Sequence, residues 1–441
     1  MKQKLTLQEK LSKRKFKQTN RFFYWIYKFV MINFKSKKYN IHYEIIDDIN
    51  KYDGPAIIVF NHLSRIDHTY VLGATYPRRF NMLAGYSEFF RSHLHFAFKH
   101  NNVLPKKQYI TDIQGMKAMS TILSKKRGTI AFAPEGLCSN YGCNKPVVPG
   151  TGKMLKHYNV PVYFCELHGV YLQNTKVCLD ERYGETYCRF SLLFSKEDLE
   201  KYSGQEIDDI LNEKFRTDEY KWQKEKHIKW QTNGRICERL DDFLYKCPKC
   251  GSEFNMTAEK DYIKCNNCGN GATMDDYYDF HPYPGSIIPD TPLDWVEKER
   301  MDIIKEIRLD PNYKFVEEVK IGNLPKYEYV KNLDTSVITG EGILTIDHTG
   351  MHYEGTRYGE SYKFDLDYNR LYTLITEKDA SYFNLYINGE YFDIFPKRRT
   401  VGKIYLLVEE MHRYHVNYYK NFKWNDYMYE GMELGIDKKK S

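Results

Sequence analysis

AIIVFNHLSRIDHTYVL, residues 56–72, is the stretch whose reading decides the fold. Its first five residues are all apolar, the composition of a strand covered on both faces, as in a mostly parallel sheet. Asn61 and His62 follow directly, and Asp67 stands five positions beyond His62. That is close enough for one turn at the strand's end to bring carboxylate and imidazole together. In such a pair the carboxylate fixes the imidazole tautomer and stabilises the imidazolium formed when the ring takes a proton. The pattern places no serine between base and substrate. The simplest chemistry is therefore direct deprotonation of a substrate hydroxyl that attacks an activated acyl group, a service worth about 10²–10⁴ in rate.

Working outward, TIAFAPEGLCS (129–139) is a second apolar strand, running into Pro134, Glu135 and Gly136. VVPGTGKMLKHYNVPVYFCELHGVYL (147–172) supplies a glycine-rich turn with Gly150, Gly152 and Lys153, then a helix, then a strand from Val160. Strand, helix and strand in that order imply an α/β domain with a mostly parallel sheet. Between them, DIQGMKAMSTIL (112–123) sets Ile113, Met116, Met119, Ile122 and Leu123 on a helical period, which predicts a core helix. DDILNEKFRTDEYKWQ (208–223) reads as closing amphipathic helices.

At these residues the chain resembles the glycerolipid acyltransferases, the family of 1-acylglycerol-3-phosphate acyltransferase, over about residues 40–235. The family's first motif, Asn-His, four variable residues, then Asp, is met by Asn61, His62 and Asp67. NMLAGYSEFF and NNVLPKKQY match its second block loosely, with Lys106 and Lys107 where the family often has an arginine that meets the acceptor's phosphate. Glu135 and Gly136 open the third motif, Glu-Gly-Thr-Arg-Ser, but Leu137 and Cys138 replace its threonine and arginine. The strand around Pro161 resembles the fourth. The resemblance implies phospholipid biosynthesis: His62, held by Asp67, deprotonates the hydroxyl of a lysophospholipid such as 1-acylglycerol-3-phosphate. The oxygen then attacks the thioester of acyl-CoA or acyl carrier protein. On this reading Asn61 orders the loop beside the substrate, and Glu135 and Gly136 shape the acceptor site. Because neutral sulfur at Cys138 cannot replace a guanidinium fork, Arg65, Lys106, Lys107 and Lys153 become the candidates for the phosphate. An acceptor without a terminal phosphate monoester, a glycolipid or lysophosphodiester, is the alternative. A non-catalytic lipid- or protein-binding scaffold of the same fold is the competing function.

The 441 residues leave room for two or three domains, and 42% hydrophobic residues suffice for real cores. The net charge of +7 is uneven: residues 1–40 hold 12 Lys or Arg against one Glu, or +11, which leaves 7 − 11 = −4 for the rest. RFFYWIYKFVMINF (21–34), as a helix, reaches roughly 21 Å, short of the ~30 Å hydrocarbon core. It is expected to lie on a membrane, with Phe22, Phe23, Tyr24 and Trp25 at headgroup level. The flanking Lys13, Arg14, Lys15, Lys17, Lys35, Lys37 and Lys38 would then face anionic lipid. An aromatic helix packed on its own domain is the other reading. No small-residue cleavage site follows, and the expected location is cytoplasmic, peripheral on the inner face of the cell membrane.

Beyond the acyltransferase-like half, Cys247, Cys250, Cys265 and Cys268 form two Cys-x-x-Cys knuckles, each followed by glycine. Four thiolates at this spacing predict a structural Zn²⁺ site in a zinc ribbon, with iron as the alternative. Asp275, Asp276 and Asp279 beside it repel phosphate, so no nucleic acid is expected. HPYPGSIIPDTP (281–292) reads as a linker ending in an N-cap, Thr291, with Pro292 first in a helix to about Arg308. Alternating apolar and aromatic residues from Tyr313 to Pro396, with turns at Thr349-Gly350 and Asn388-Gly389, predict a strand meander. A helix over 401–419 follows, and the combination resembles a pleckstrin-homology-like fold. Lys397, Arg398 and Arg399 are candidates for a lipid headgroup or a solvated loop. The expected division is an interfacial helix (1–40), acyltransferase domain (41–240), ribbon (241–280), linker and helix (281–312), β domain (313–422) and tail (423–441).

Overall fold

The computed structural model describes residues 4–331 and 335–416; the predicted tail and the last residues of the predicted terminal helix lie outside these. Seven strands form the first sheet: β1 (Asn40–Ile45), β2 (Ala56–Phe60), β3 (Phe80–Gly85), β4 (Leu104–Lys106), β5 (Thr129–Phe132), β6 (Val162–His168) and β7 (Glu185–Phe194). Their order is β1-β7-β6-β2-β5-β3-β4, and every neighbouring pair is parallel except β6–β7. Both faces of β2 are buried as its composition requires: Ala56, Ile58 and Phe60 join one core and Ile57 and Val59 the other. Since β2, β3, β4, β5 and β6 run the same way, the loops that leave them gather along one edge, where open α/β sheets bind ligands.

The helix Ile113–Ser120 differs from expectation at its start. Met119, Ile122 and Leu123 are buried, but Ile113 and Met116 are exposed, because this first turn stands at the mouth of the cavity described below instead of over the sheet. The glycine-rich turn is also closed. Asp208 accepts the N–H groups of Gly150 and Gly152 at 3.0 and 2.6 Å, and a Cβ on Gly152 would lie 2.1 Å from the Gly204 carbonyl oxygen. Gly152 thus serves helix packing and Gly150, at φ +89°, the turn itself, and both N–H groups are already taken by Asp208.

A small antiparallel sheet holds the four cysteines: β8 (Met256–Glu259), β9 (Tyr262–Cys265), β10 (Gly271–Met274) and β11 (Phe280–Pro282), in the order β11-β10-β9-β8. The start of the proline-rich stretch thus enters this sheet as its edge strand. Thr291 caps the helix Pro292–Leu309, accepting from the Asp294 N–H at 3.1 Å.

The C-terminal part is one antiparallel sheet, β12 (Lys314–Asn323), β13 (Val337–Asp347), β14 (Gly350–Arg357), β15 (Glu360–Leu366), β16 (Ile375–Thr376), β17 (Phe383–Ile387) and β18 (Glu390–Pro396), ordered β15-β14-β13-β12-β18-β17-β16. The helix Val401–His415 packs against it, and its Ile404, Tyr405, Leu407 and Val408 belong to the same core as β2. This β-rich part is therefore welded to the parallel-sheet domain. Lys397, Arg398 and Arg399 are exposed, and each is paired within the protein, with Glu318 (2.6 Å), Glu317 (2.6 Å) and Asp241 with Asp242 (2.8 and 2.5 Å).

At the N-terminus the helix Arg21–Lys28 continues through a π-helical turn at Phe29–Phe34 and a 3₁₀ turn at Lys35–Lys38. One side docks: Tyr24 packs edge-on against Phe80, and the Tyr27 hydroxyl meets His68 Nδ1 at 2.7 Å. The other side stays bare, with Phe22, Trp25 and Phe34 exposed by 62%, 50% and 65%. No helix among the described residues is long and apolar enough to cross a membrane.

Candidate active site

Asn61 sets the end of β2. Its side chain is fully buried, donates to the Leu167 carbonyl and accepts the Leu167 N–H, both at 2.8 Å, so it prolongs the β2–β6 ladder by one rung. It is a structural residue and has no surface to offer a substrate. His62, next in line, sits at the edge with 30% of its side chain exposed, and its Nδ1 lies 2.7 Å from Asp67 Oδ2. Asp67 opens the helix Asp67–Thr75 and also accepts the Ser64 N–H at 3.0 and 3.2 Å. Burial pushes the Asp67 carboxyl up, and the His62 hydrogen bond opposes that. With Nδ1 engaged by the carboxylate, Nε2 is the ring atom left to take a proton.

Glu135 holds the histidine from behind. It is 1% exposed; Oε1 accepts the His62 N–H and Oε2 the Lys145 N–H, each at 2.8 Å. The Ser139 N–H completes the grip by donating to the His62 carbonyl at 2.7 Å. Burial raises the Glu135 carboxyl to about 7 against these two N–H donors. The expectation that Glu135 shapes the acceptor site is thus corrected: its carboxylate is committed to the main chain of His62. Gly136, at φ +77°, turns the chain back toward the cavity. The loop 134–146 is itself fastened from the C-terminal side. Thr376 Oγ1 donates to Asn140 at 2.5 Å, Arg300 to the Tyr141 hydroxyl at 2.5 Å, and Lys145 Nζ to Glu409 at 2.9 Å.

A cavity of about 1620 Å³ opens in front of His62, larger than the roughly 300–1000 Å³ of ordinary ligand sites. Arg65, Lys106, Gly136 and Cys138 line it. Lys107 does not: its ammonium lies over the rings of Tyr86 and Tyr386, at 5.0 and 5.9 Å. Lys153 is also outside, its stem against Gly204. Lys106 is partly committed, donating to the Lys107 carbonyl at 2.9 Å with Asp112 at 3.8 Å. Arg65 donates twice to Asn174 Oδ1, at 3.1 and 3.0 Å. Lys176, which sequence reasoning passed over, lines the same cavity, and its ammonium makes no hydrogen bond or ion pair among the described residues. Only its place after β6, beyond the fourth motif, could have pointed to it. Other walls come from the N-terminal helix, with Phe23, Ile26 and Tyr27, from the helix Ser92–His100, with His93, Leu94 and Phe96, and from the C-terminal part, with Arg370 and Tyr372 in the β15–β16 connection and Tyr386 in β17.

The four cysteines cluster as their spacing predicts, with all sulfurs within 4.8 Å of one another. Cys247 and Cys268 are 3.7 Å apart, and Cys250 and Cys265 3.8 Å. A tetrahedron with metal–sulfur bonds of about 2.3 Å has edges of about 3.8 Å, so the cage fits Zn²⁺. Asn270 and Asn267 donate to the Cys247 and Cys250 sulfurs at 3.6 Å, an outer layer that favours thiolates.

Residues 40–166 match the family model described as Acyltransferase, so an acyltransferase domain occupies this part of the chain. Among solved structures the chain is similar to the 1-acyl-sn-glycerophosphate (LPA) acyltransferase PlsC from Thermotoga maritima. That match has 20% identity over 43% of this chain and 78% of the other, with a TM-score of 0.33. No curated protein matches the chain.

Proposed function

We propose that the protein is a membrane-peripheral acyltransferase that moves a fatty acyl group from acyl-CoA or acyl carrier protein to the hydroxyl of a lysophospholipid. The observation that carries this reading is the His62–Asp67 pair, 2.7 Å apart and open to a large cavity, inside the segment that matches the Acyltransferase model. The acceptor oxygen gives its proton to His62 Nε2 and attacks the thioester carbonyl. The tetrahedral intermediate collapses with loss of the thiolate, which takes the proton from His62 and leaves as a thiol. Asp67 holds the ring throughout. Arg65 and Lys176 meet the acceptor's phosphate, a role supported by their shared place on the cavity wall. Phe22, Trp25 and Phe34 seat the chain on an anionic bilayer on the cytoplasmic side. Zn²⁺ would be held by Cys247, Cys250, Cys265 and Cys268 and supplies folding energy only. The meander and terminal helix of the C-terminal part support a pleckstrin-homology-like reading.

The test is mass spectrometry of lipids after incubating the full chain with a panel of acyl thioesters and lysolipids. The expected result is diacyl product with stoichiometric thiol release, lowered at least 10²-fold by His62→Ala. Asp67→Asn should fail comparably, since it favours the wrong tautomer. No transfer from any donor to any lysolipid would overturn the reading.

A further inference from the structure

Arg65 and Lys176 both line the cavity, and both are tied to one short segment of the β6–β7 connection. The segment begins at Asn174, which follows the helical turn Val170–Gln173 and is 4% exposed. Its side-chain oxygen Oδ1 accepts three donors at once: Ser64 Oγ at 3.3 Å, Arg65 Nε at 3.1 Å and Arg65 Nη2 at 3.0 Å. Ser64 and Arg65 belong to the turn that carries the chain from His62 to Asp67, so the guanidinium is held from a point 109 positions along the chain. The Arg65 side chain makes no other hydrogen bond and no ion pair among the described residues. The carboxylates whose charge it feels, Glu181 and Asp379, pair instead with Lys35 at 3.8 Å and Arg239 at 3.0 Å. Asn174 uses the Nε edge of the guanidinium and leaves the other N–H groups, two on Nη1 and one on Nη2, uncommitted. Two residues on, the Lys176 carbonyl accepts the Asp379 N–H at 3.0 Å, which fixes the backbone of the second cation.

That the holder is an amide decides what it can do. A carboxylate at this position would grip the same edge more tightly, but it would cancel the charge that an anionic ligand has to find. A neutral oxygen restricts the direction of the guanidinium and leaves its charge whole. An arginine with no holder would instead lose its rotamer freedom on binding, and part of the affinity would go to ordering it. We propose that Asn174 is a positioning residue for the acceptor's phosphate: it aims the uncommitted fork of Arg65 into the cavity and, with Lys176, makes a preformed anion site. This rests on the acyltransferase reading and adds to it the residue that makes Arg65 competent.

The experiment measures kcat and KM of the full chain, with one acyl thioester, for lysophosphatidate, lysophosphatidylglycerol and the uncharged monoacylglycerol, all of one short chain length and below their micelle concentrations. Kd for the same lipids is read by equilibrium dialysis without donor. Asn174→Asp should raise KM and Kd for the phosphate-bearing acceptors by at least tenfold, the weight of one charge-assisted hydrogen bond, with KM for the thioester and for monoacylglycerol little changed. Added salt, which weakens the wild type's hold on the phosphate, should weaken that of the variant far less. Asn174→Ala should raise the same constants by about fivefold, and on an Arg65→Gln background it should change them no further. A merely structural Asn174 gives another pattern. Both variants would then lower kcat for all acceptors alike, or Asn174→Ala would act as strongly without Arg65 as with it, and either result overturns the inference. Should Asn174→Ala fail to fold, Asn174→Asp decides, because it keeps the oxygen that the three donors use; unchanged phosphate binding in that variant also overturns the inference. So does a wild type that prefers monoacylglycerol to both phosphate-bearing acceptors. Absence of transfer to every acceptor, with the contrast in Kd intact, would remove the acyl chemistry and leave the anion site standing.

Discussion

At residue scale the site is governed by two buried side chains that never touch substrate. Glu135 accepts one main-chain N–H on each carboxylate oxygen, His62 on one side and Lys145 on the other. Glu135→Gln keeps the shape but points an NH₂ at one of those donors, so His62 should shift by a fraction of an ångström. The expected outcome is a fall in kcat of about 10-fold or more with KM for the acceptor little changed, as loss of alignment requires; unchanged kcat would show that the grip on His62 is dispensable. Asn61 and Glu135 were legible as motif residues, yet their roles were not. Spacing places a polar residue at a strand's end without saying whether it faces the cavity or completes a ladder. The His62–Asp67 pair was legible because only four residues separate them, which leaves the two side chains few other places to meet. His168, at the end of β6, carries a prediction that no motif suggested. Burial alone would lower its pKa, but Glu166 at 3.3 Å and Glu219 at 3.5 Å outweigh that and hold it at about 9. A folded-state value above the unfolded one means stability that is full below about pH 6.5 and lost as pH rises through about 9; Glu135, raised to about 7, adds in the same direction. Asp393, whose carboxyl burial also raises to about 7, adds as Glu135 does, and between pH 6.5 and 8 the unfolding free energy should drop by about 3 kcal/mol. Urea titrations of the wild type and of His168→Gln check this: the variant should lose about half of the slope.

At the scale of elements, apolar runs such as Ala56–Phe60 and Thr129–Phe132 announced central strands, and Asn388-Gly389 announced the β17–β18 hairpin, because these depend only on local composition and turn chemistry. The docking of the C-terminal helix on the loop behind His62 was not legible. It joins residues more than two hundred positions apart through complementary charge, a relation with no period and no spacing rule. There Lys145, Arg300 and Glu409 are all buried, and the two cations overcome burial to hold the Glu409 carboxyl down at about 2. Breaking such a cluster on one side strands a charge, which costs roughly 3–5 kcal/mol. Glu409→Gln should therefore lower both stability and kcat, and adding Lys145→Met should recover part of each loss. A double-mutant cycle with a coupling below about 0.5 kcal/mol would show that the clasp carries no weight. The small sheet that holds the four cysteines makes its own prediction. It is wedged against the helix Pro292–Leu309, with the Trp295 indole N–H donating to the Lys246 carbonyl at 2.9 Å and Glu299 accepting the Lys246 N–H at 2.8 Å. Elemental analysis should find one metal, zinc, per chain, and Cys247→Ser should abolish it and lower the melting temperature by several degrees. Iron in the purified protein would correct the metal; no metal at all would correct the site.

On the proposed function, the question for the whole molecule is how one cavity would serve a soluble donor and a membrane-bound acceptor. The N-terminal helix answers by having two faces. Phe23, Ile26 and Tyr27 look into the cavity, while Phe22, Trp25, Phe29 and Phe34 form a strip of rings in contact with one another, from the stacked Phe22–Trp25 pair at 6.4 Å to Phe29–Phe34 at 5.2 Å. Lys28, Lys35, Lys37 and Lys38 flank the strip, and the charge of residues 1–40, +11 by sequence, is held on this side of the chain's order. Removing the whole segment would test little, because it would strip a cavity wall and the Tyr27–His68 contact together with the membrane face. Changing only the outward rings, Phe22→Ser with Trp25→Ser and Phe34→Ser, separates the two functions. Three aromatic side chains withdrawn from the headgroup region should weaken binding to vesicles of mixed anionic and zwitterionic lipid by at least tenfold. Raising the salt should weaken the wild type further, since exposed lysines are screened over about 10 Å at 0.1 M ionic strength. Turnover of a short-chain lysolipid below its micelle concentration should survive the triple change, because the inner face is untouched. Sedimentation of the triple variant with vesicles as complete as that of the wild type would mean that the exposed strip meets something other than a bilayer, and that the acceptor reaches His62 by another route.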